Sequence, residues 1–106
     1  MLEMKWSGSI AAFAQEYAER CVFRHSSNNE RVNASGTSYD WIGENLYLTS
    51  ANRINVKRAV KSWIKEKINY SYSNNHCSGI CGHYTQVYMH AVYRSANIVF
   101  GIIRSP

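Results

Sequence analysis

Two stretches of helical periodicity, residues 9–23 and 53–68, stand on either side of a short apolar run at Trp41–Tyr47, and this order constrains the fold most. In the first stretch Ile10, Phe13, Ala14, Tyr17 and Cys21 recur at the spacing of one helical stripe, while Glu16, Glu19 and Arg20 face away. Ser7 or Ser9 can cap its start. In the second, Val56, Ala59, Val60, Trp63 and Ile64 form the predicted buried face. Between them, Arg24 to Tyr39 is rich in Ser, Asn, Gly and Arg and reads as a polar loop. The run Trp41–Tyr47 has Gly43 at its centre and reads as a short strand. Asn69 to Gly82 reads as a loop, and Tyr84 to Ile103, rich in Tyr, Val and Ile, as one or two strands. Helix, loop, strand, helix, loop, strands is the order of a mixed α+β domain.

The chain has 106 residues, enough for one small domain or a piece of a larger one. Apolar residues make up 45% and charged residues 18%, a globular rather than a disordered composition. No window approaches eighteen consecutive apolar residues, so no membrane-spanning helix is expected. Residues 1–17 carry acids and a helical pattern where an export signal would show a basic start and an apolar core. The 12 Lys and Arg outnumber the 7 Asp and Glu, giving a formal charge of +5. The densest basic patch, Lys57, Arg58, Lys61, Lys65 and Lys67, reads as a solvated helix face, and nucleic acid is not expected as a partner. Single-strand binding would interleave aromatics with those cations on one surface, which the eight tyrosines do not establish.

Cys21, Cys77 and Cys81 make an odd count. Cys77 and Cys81 are close enough to close a small loop, and Gly79 permits the turn. If they pair, Cys21 is left as a buried thiol or as half of a bond whose partner is absent. In a reducing compartment all three stay thiols. Two glycosylation sequons, Asn33-Ala34-Ser35 and Asn69-Tyr70-Ser71, are compatible with export.

The candidates for chemistry are four histidines and a few acids. His25 follows the first helical stretch, His76 and His83 flank the cysteine pair, and His90 lies in the predicted strand region. Glu44 sits in an apolar segment, where a carboxylate is costly to bury without a partner. Glu66, three residues after Trp63, emerges beside the apolar stripe. Taken singly, each has a structural explanation: a dipole-complementing His, a turn, a rim Glu. A local zinc site from His76, Cys77, Cys81 and His83 crowds its donors into one turn, without the spacer between ligand pairs that structural zinc sites use. The Cys-x3-Cys spacing does not fit a thioredoxin-like pair, and no nucleophile-elbow pattern supports a Ser-His-Asp hydrolase.

Four segments taken together resemble one family. They are Cys21-Val22-Phe23-Arg24-His25-Ser26, Gly43-Glu44-Asn45-Leu46, the run from Ala59 to Glu66 with Tyr70-Ser71-Tyr72, and Cys81-Gly82-His83-Tyr84-Thr85-Gln86-Val87. In this order they are similar to the CAP superfamily (the SCP domain) of cysteine-rich secretory proteins, venom antigen 5 and plant pathogenesis-related proteins. The similarity covers roughly residues 1–87, with a divergent tail at 88–106 in a single partial domain. It implies a three-layer α-β-α sandwich around a mainly antiparallel sheet, here incomplete. It also implies that His25 and His83 converge in a cleft able to hold a divalent metal, commonly zinc, with Glu44 and Glu66 lining the same cleft. The implied role is that of an extracellular module that binds a protein, sterol or lipid rather than an enzyme. The alternatives are a zinc-dependent hydrolase with Glu44 or Glu66 as general base, or a metal-free cytosolic basic module with reduced cysteines.

The chain departs from the family in two places. Family members begin with a further helix before the equivalent of Met1, and after Val87 they continue into a strand bearing a late cysteine. That cysteine is expected to bond the one matching Cys21, and no cysteine follows Cys81 here. A truncated or alternatively spliced product, or a mis-assigned final exon, is the expectation. Such a chain would expose a sheet edge and apolar faces. It would lack a long-range disulfide of the kind typically worth about 2–5 kcal/mol, so marginal stability or aggregation is predicted.

Overall fold

The computed structural model describes residues 6–36 and 38–86, and the backbone of 98–104. Helix α1 spans Gly8–Glu19 and is capped by Ser7, whose hydroxyl accepts from the Ile10 N–H at 3.5 Å. Its buried residues are Ile10, Phe13 and Tyr17, as the periodicity predicts, and with Ile42 they form a core against which Ala14, Val32 and Tyr39 pack. Phe13 and Tyr17 stack at 5.9 Å. The helix ends earlier than its stripe suggests. Cys21 lies beyond it with φ 53°, in the left-handed region, and is an exposed free thiol rather than part of the buried face. A left-handed residue just past the end turns the chain out of the helical path, so the extrapolated stripe no longer applies.

The predicted polar loop holds a helix, α2, Asn28–Ser35. It is closed at its start by a reciprocal capping box. The Ser27 hydroxyl accepts from the Glu30 N–H at 3.2 Å, and a Glu30 carboxylate oxygen accepts from the Ser27 N–H at 2.8 Å. The Ser27 N–H and hydroxyl hold the Glu30 carboxyl below its ordinary value. At the other end Gly36 takes φ 62°, where glycine carries no side-chain clash. The helix is almost wholly polar, so hydrophobic periodicity has nothing to register. Its buried residues are Arg31 and Ser35.

Strand β1, Gly43–Thr49, confirms the central apolar run as a strand. A 3-10 turn at Glu66–Asn69 follows helix α3, Val56–Lys65, which is capped by Asn55. The short strands β2, Tyr70–Ser71, and β3, His76–Cys77, form an antiparallel hairpin. Residues 82–86 are helical (α4), so Tyr84 to Gln86 do not belong to the predicted strand region. The strand content there is β4, Ile98–Arg104. It pairs with β1 from Gly43↔Ile98 to Thr49↔Arg104, in parallel. The long strand pair among the described residues is therefore parallel, where the resemblance implied a mainly antiparallel sheet. A parallel pair needs a long crossover, and the chain from Ser50 to Asn97, which contains α3, supplies it.

Helix α1 packs on both α2 and β4, and α3 meets β1 through Trp63, whose indole N–H donates to the Leu46 carbonyl at 3.1 Å. The architecture is thus mixed, helices laid on a small sheet. The predicted stripe of α3 is only partly covered. Ala59 and Trp63 are buried, while Val56, Val60 and Ile64 stay exposed. Periodicity tells which side of a helix is apolar, and only the neighbours decide how much of that side is covered.

Candidate functional site: two histidine–glutamate pairs on one cleft

His25 lies in the segment linking α1 to α2. The segment is pinned by the Tyr17 hydroxyl, which donates to the Arg24 carbonyl at 2.8 Å. Its imidazole Nδ1 is 2.7 Å from Glu44 Oε1. The same carboxylate accepts from the Ser26 N–H at 3.0 Å and, at its other oxygen, from the Ser26 hydroxyl at 2.6 Å. Behind it stands Arg31, buried like Glu44, with Nη1 at 3.8 Å from the carboxylate. Arg31 donates from Nε to the Ile42 carbonyl at 2.6 Å, and from Nη1 to the Ser26 hydroxyl at 3.0 Å and to the Ser26 carbonyl. The partner that a buried Glu44 requires is therefore present, and α2 supplies it.

The second pair is built from helix ends. Glu66 closes α3, and one of its oxygens lies 2.6 Å from His83 Nδ1. The other accepts the backbone N–H groups of His83 and Tyr84 at 2.9 and 3.2 Å, the orphan donors at the start of α4. The Trp63 and His83 rings stack at 5.9 Å with planes 19° apart. The Asn45 side-chain amide donates to the His83 carbonyl at 3.1 Å, tying the second pair to β1 beside Glu44.

His25 and His83 line one cleft of about 290 Å³, together with Glu44, Asn45, Trp41 and Gln86. Glu66 meets the cleft through His83, whose Nδ1 side it holds. Gly43 gives room to Gln86, since a Cβ there would fall 2.2 Å from Gln86 Oε1. Asn45 Oδ1 is buried with no hydrogen-bond partner among the described residues. Ser26, Arg31, Asn45 and Gln86 have structural roles that the sequence reading did not assign. The first signal for Arg31 was available as the Ser27-x-x-Glu30 box that starts its helix.

The remaining candidates lie elsewhere. Cys77 and Cys81 form a disulfide with Cα atoms 6.1 Å apart, which takes both sulfurs out of the local zinc set with His76 and His83. His76 sits exposed on β3, and His90 lies outside the described residues. No group of three or more His, Cys, Asp or Glu side chains gathers as a metal cluster among the described residues. Likewise, no helix among them is long and apolar enough to cross a membrane.

Comparison with known proteins places this chain in a family. The profile of the CAP, or cysteine-rich secretory protein, family matches residues 1–95, and the chain belongs to that family. It is 44% identical over 84 residues to a pathogenesis-related protein 1 of Arabidopsis thaliana, covering 79% of this chain and 47% of that protein. Glioma pathogenesis-related protein 1 of Mus musculus is 34% identical over 88 residues, covering 82% of this chain and 33% of the relative. Peptidase inhibitor 16 of Bos taurus is 38% identical over 89 residues, again 82% of this chain but 17% of the relative. The chain thus spans less than half the length of these relatives.

Proposed function

We propose that this chain is a secreted binding module whose cleft holds a divalent metal, zinc, between His25 and His83, and which engages a protein, sterol or lipid partner rather than turning over a substrate. The observation that carries the reading is the pairing of each imidazole through Nδ1 with a carboxylate. A carboxylate only accepts, so Nδ1 carries the proton and Nε2 keeps its lone pair, the donor a metal takes. Two such imidazoles on one cleft fit zinc as a partial donor set with open positions. The carboxylates do not complete that set, since each is turned to the Nδ1 side of its imidazole.

When bound, the metal would supply a Lewis-acidic anchor for an oxygen of the partner. The chain's own residues orient that anchor. Glu44 and Glu66 fix the ring tautomers, and Arg31 and the α4 backbone N–H groups hold the carboxylates. Binding is favoured over hydrolysis because a general base needs a carboxylate free to reach a water. Both oxygens of Glu44 and both of Glu66 are already engaged.

Calorimetric titration of the chain with zinc, beside its His83→Ala variant, tests this. Saturable binding near one ion per chain, lost in the variant, is expected. A folded chain that takes up no zinc sinks the metal reading. Zinc-dependent turnover of a peptide library, abolished by Glu44→Gln, would replace binding by hydrolysis.

A further inference from the structure

The folded chain treats its two Asn-x-Ser sequons differently. We propose that Asn33 is an N-glycosylation site, and that Asn69 is unmodified in the folded, exported protein. The proposal rests on the secretory reading above, which alone brings the chain to the glycosylating machinery. Asn33 lies in the last turn of α2, exposed, with no side-chain hydrogen bond among the described residues. The buried residues of that helix are Arg31 and Ser35, so a glycan at position 33 extends into solvent without displacing a contact.

Asn69 is committed to the disulfide loop. Its side-chain amide donates to the Ile80 carbonyl at 3.2 Å and lies so close to Gly79 that a Cβ there would be 3.1 Å from both Asn69 Cγ and Nδ2. Its backbone carbonyl accepts from the Ser78 N–H at 2.9 Å and the Ser78 hydroxyl at 3.2 Å. These contacts fold the Cys77–Cys81 loop back onto the end of the 3-10 turn. A sugar on Nδ2 would occupy the space that Gly79 and Ile80 fill.

In the transfer, Asn33 Nδ2 attacks C1 of a lipid-linked oligosaccharide pyrophosphate. The C1–N bond forms, the C1–O bond to pyrophosphate breaks, the lipid pyrophosphate leaves, and the amide proton passes to a base of the transferase. The Ser35 hydroxyl of the sequon is tied to the Val32 carbonyl at 2.7 Å once α2 is formed. Transfer therefore precedes closure of the helix, and folding then selects among the products. A chain modified at position 33 folds; a chain modified at position 69 does not close its loop.

The test expresses the full chain behind a cleavable export leader in a glycosylating host. Glycans are removed by peptide N-glycanase in heavy-oxygen water, and peptides from the exported and luminal pools are weighed. Label at Asn33 and none at Asn69 in the exported pool is expected. Asn33→Gln should abolish the glycan and Asn69→Gln should leave it. Opening the loop with Cys77→Ser and Cys81→Ser should raise Asn69 occupancy. An unlabelled Asn33 in both pools overturns the proposal, as does a labelled Asn69 in chains whose Cys77–Cys81 bond is intact. Protein from the native source that lacks a glycan, while the leader-driven chain carries one at Asn33, refutes the secretory reading and leaves the site assignment standing.

Discussion

The two histidine–glutamate pairs share a contact and differ in where their burial lies. In the first, the Glu44 side chain is 2% exposed and the His25 side chain 62%. In the second the covering is shared, with His83 at 29% and Glu66 at 14%. A carboxylate removed from water needs a cation or several donors, and Glu44 has both in Arg31 and Ser26. Glu66 remains partly solvated and relies on backbone N–H groups next to the histidine it orients. The first pair therefore joins site and fold in one network spanning α2 and β1, whereas the second is a helix-end arrangement. Loss of a partner should cost folding stability in the first case and mostly imidazole orientation in the second.

Arg31→Met puts the greatest strain on this contrast. It leaves a buried carboxylate without its cation, and a loss of about 3–5 kcal/mol in denaturant unfolding is expected. A loss under about 1 kcal/mol would mean that Ser26 and His25 satisfy Glu44 without the cation. Next comes the comparison of Glu44→Gln with Glu66→Gln. The first should destabilise by about 2–3 kcal/mol and the second by about 1 kcal/mol, since hydrogen bonds to charged groups carry the larger values. If the proposed zinc site holds, both should weaken zinc binding by about 10–100-fold, because either change removes a carboxylate that orients a proposed ligand imidazole. Equal stability losses would erase the distinction between the pairs.

The smallest effect concerns the helix that carries Arg31. Ser27→Ala removes the hydroxyl of the capping box and should cost about 1 kcal/mol at neutral pH. The Glu30 carboxyl is held below its ordinary value in the folded chain, so the unfolded chain binds this proton more tightly. The stabilisation is present above the ordinary carboxyl value and is lost as pH falls through the lowered one. Melting curves at successively more acidic pH should show the gap between parent and Ser27→Ala narrowing. A gap that widens on acidification would contradict the assigned role of Ser27.

Local pattern carried much of this molecule. The α1 stripe, the Ser7 cap and the strand at Gly43 all follow from spacing and side-chain chemistry between near neighbours. The family motif pointed to His25, Glu44, Glu66 and His83, and the fold does pair them two by two. Helix α2 was missed because a nearly wholly polar segment has no stripe, although its capping box stood in plain view. The α1 terminus was misplaced because a left-handed residue at Cys21 leaves no mark on periodicity.

The sequence by itself determined which side chains prefer a helix, a strand or a cap, and which titratable residue types are present. Those preferences act over a few residues along the chain. Tertiary structure alone decided that the cation for Glu44 comes from Arg31 and that Glu66 meets the Nδ1 side of His83. It also decided that α3 leaves Val56, Val60 and Ile64 uncovered, and that Asn69 is packed while Asn33 is exposed. Each of these depends on contacts between residues far apart in sequence, or on which surfaces meet, and no local spacing encodes either.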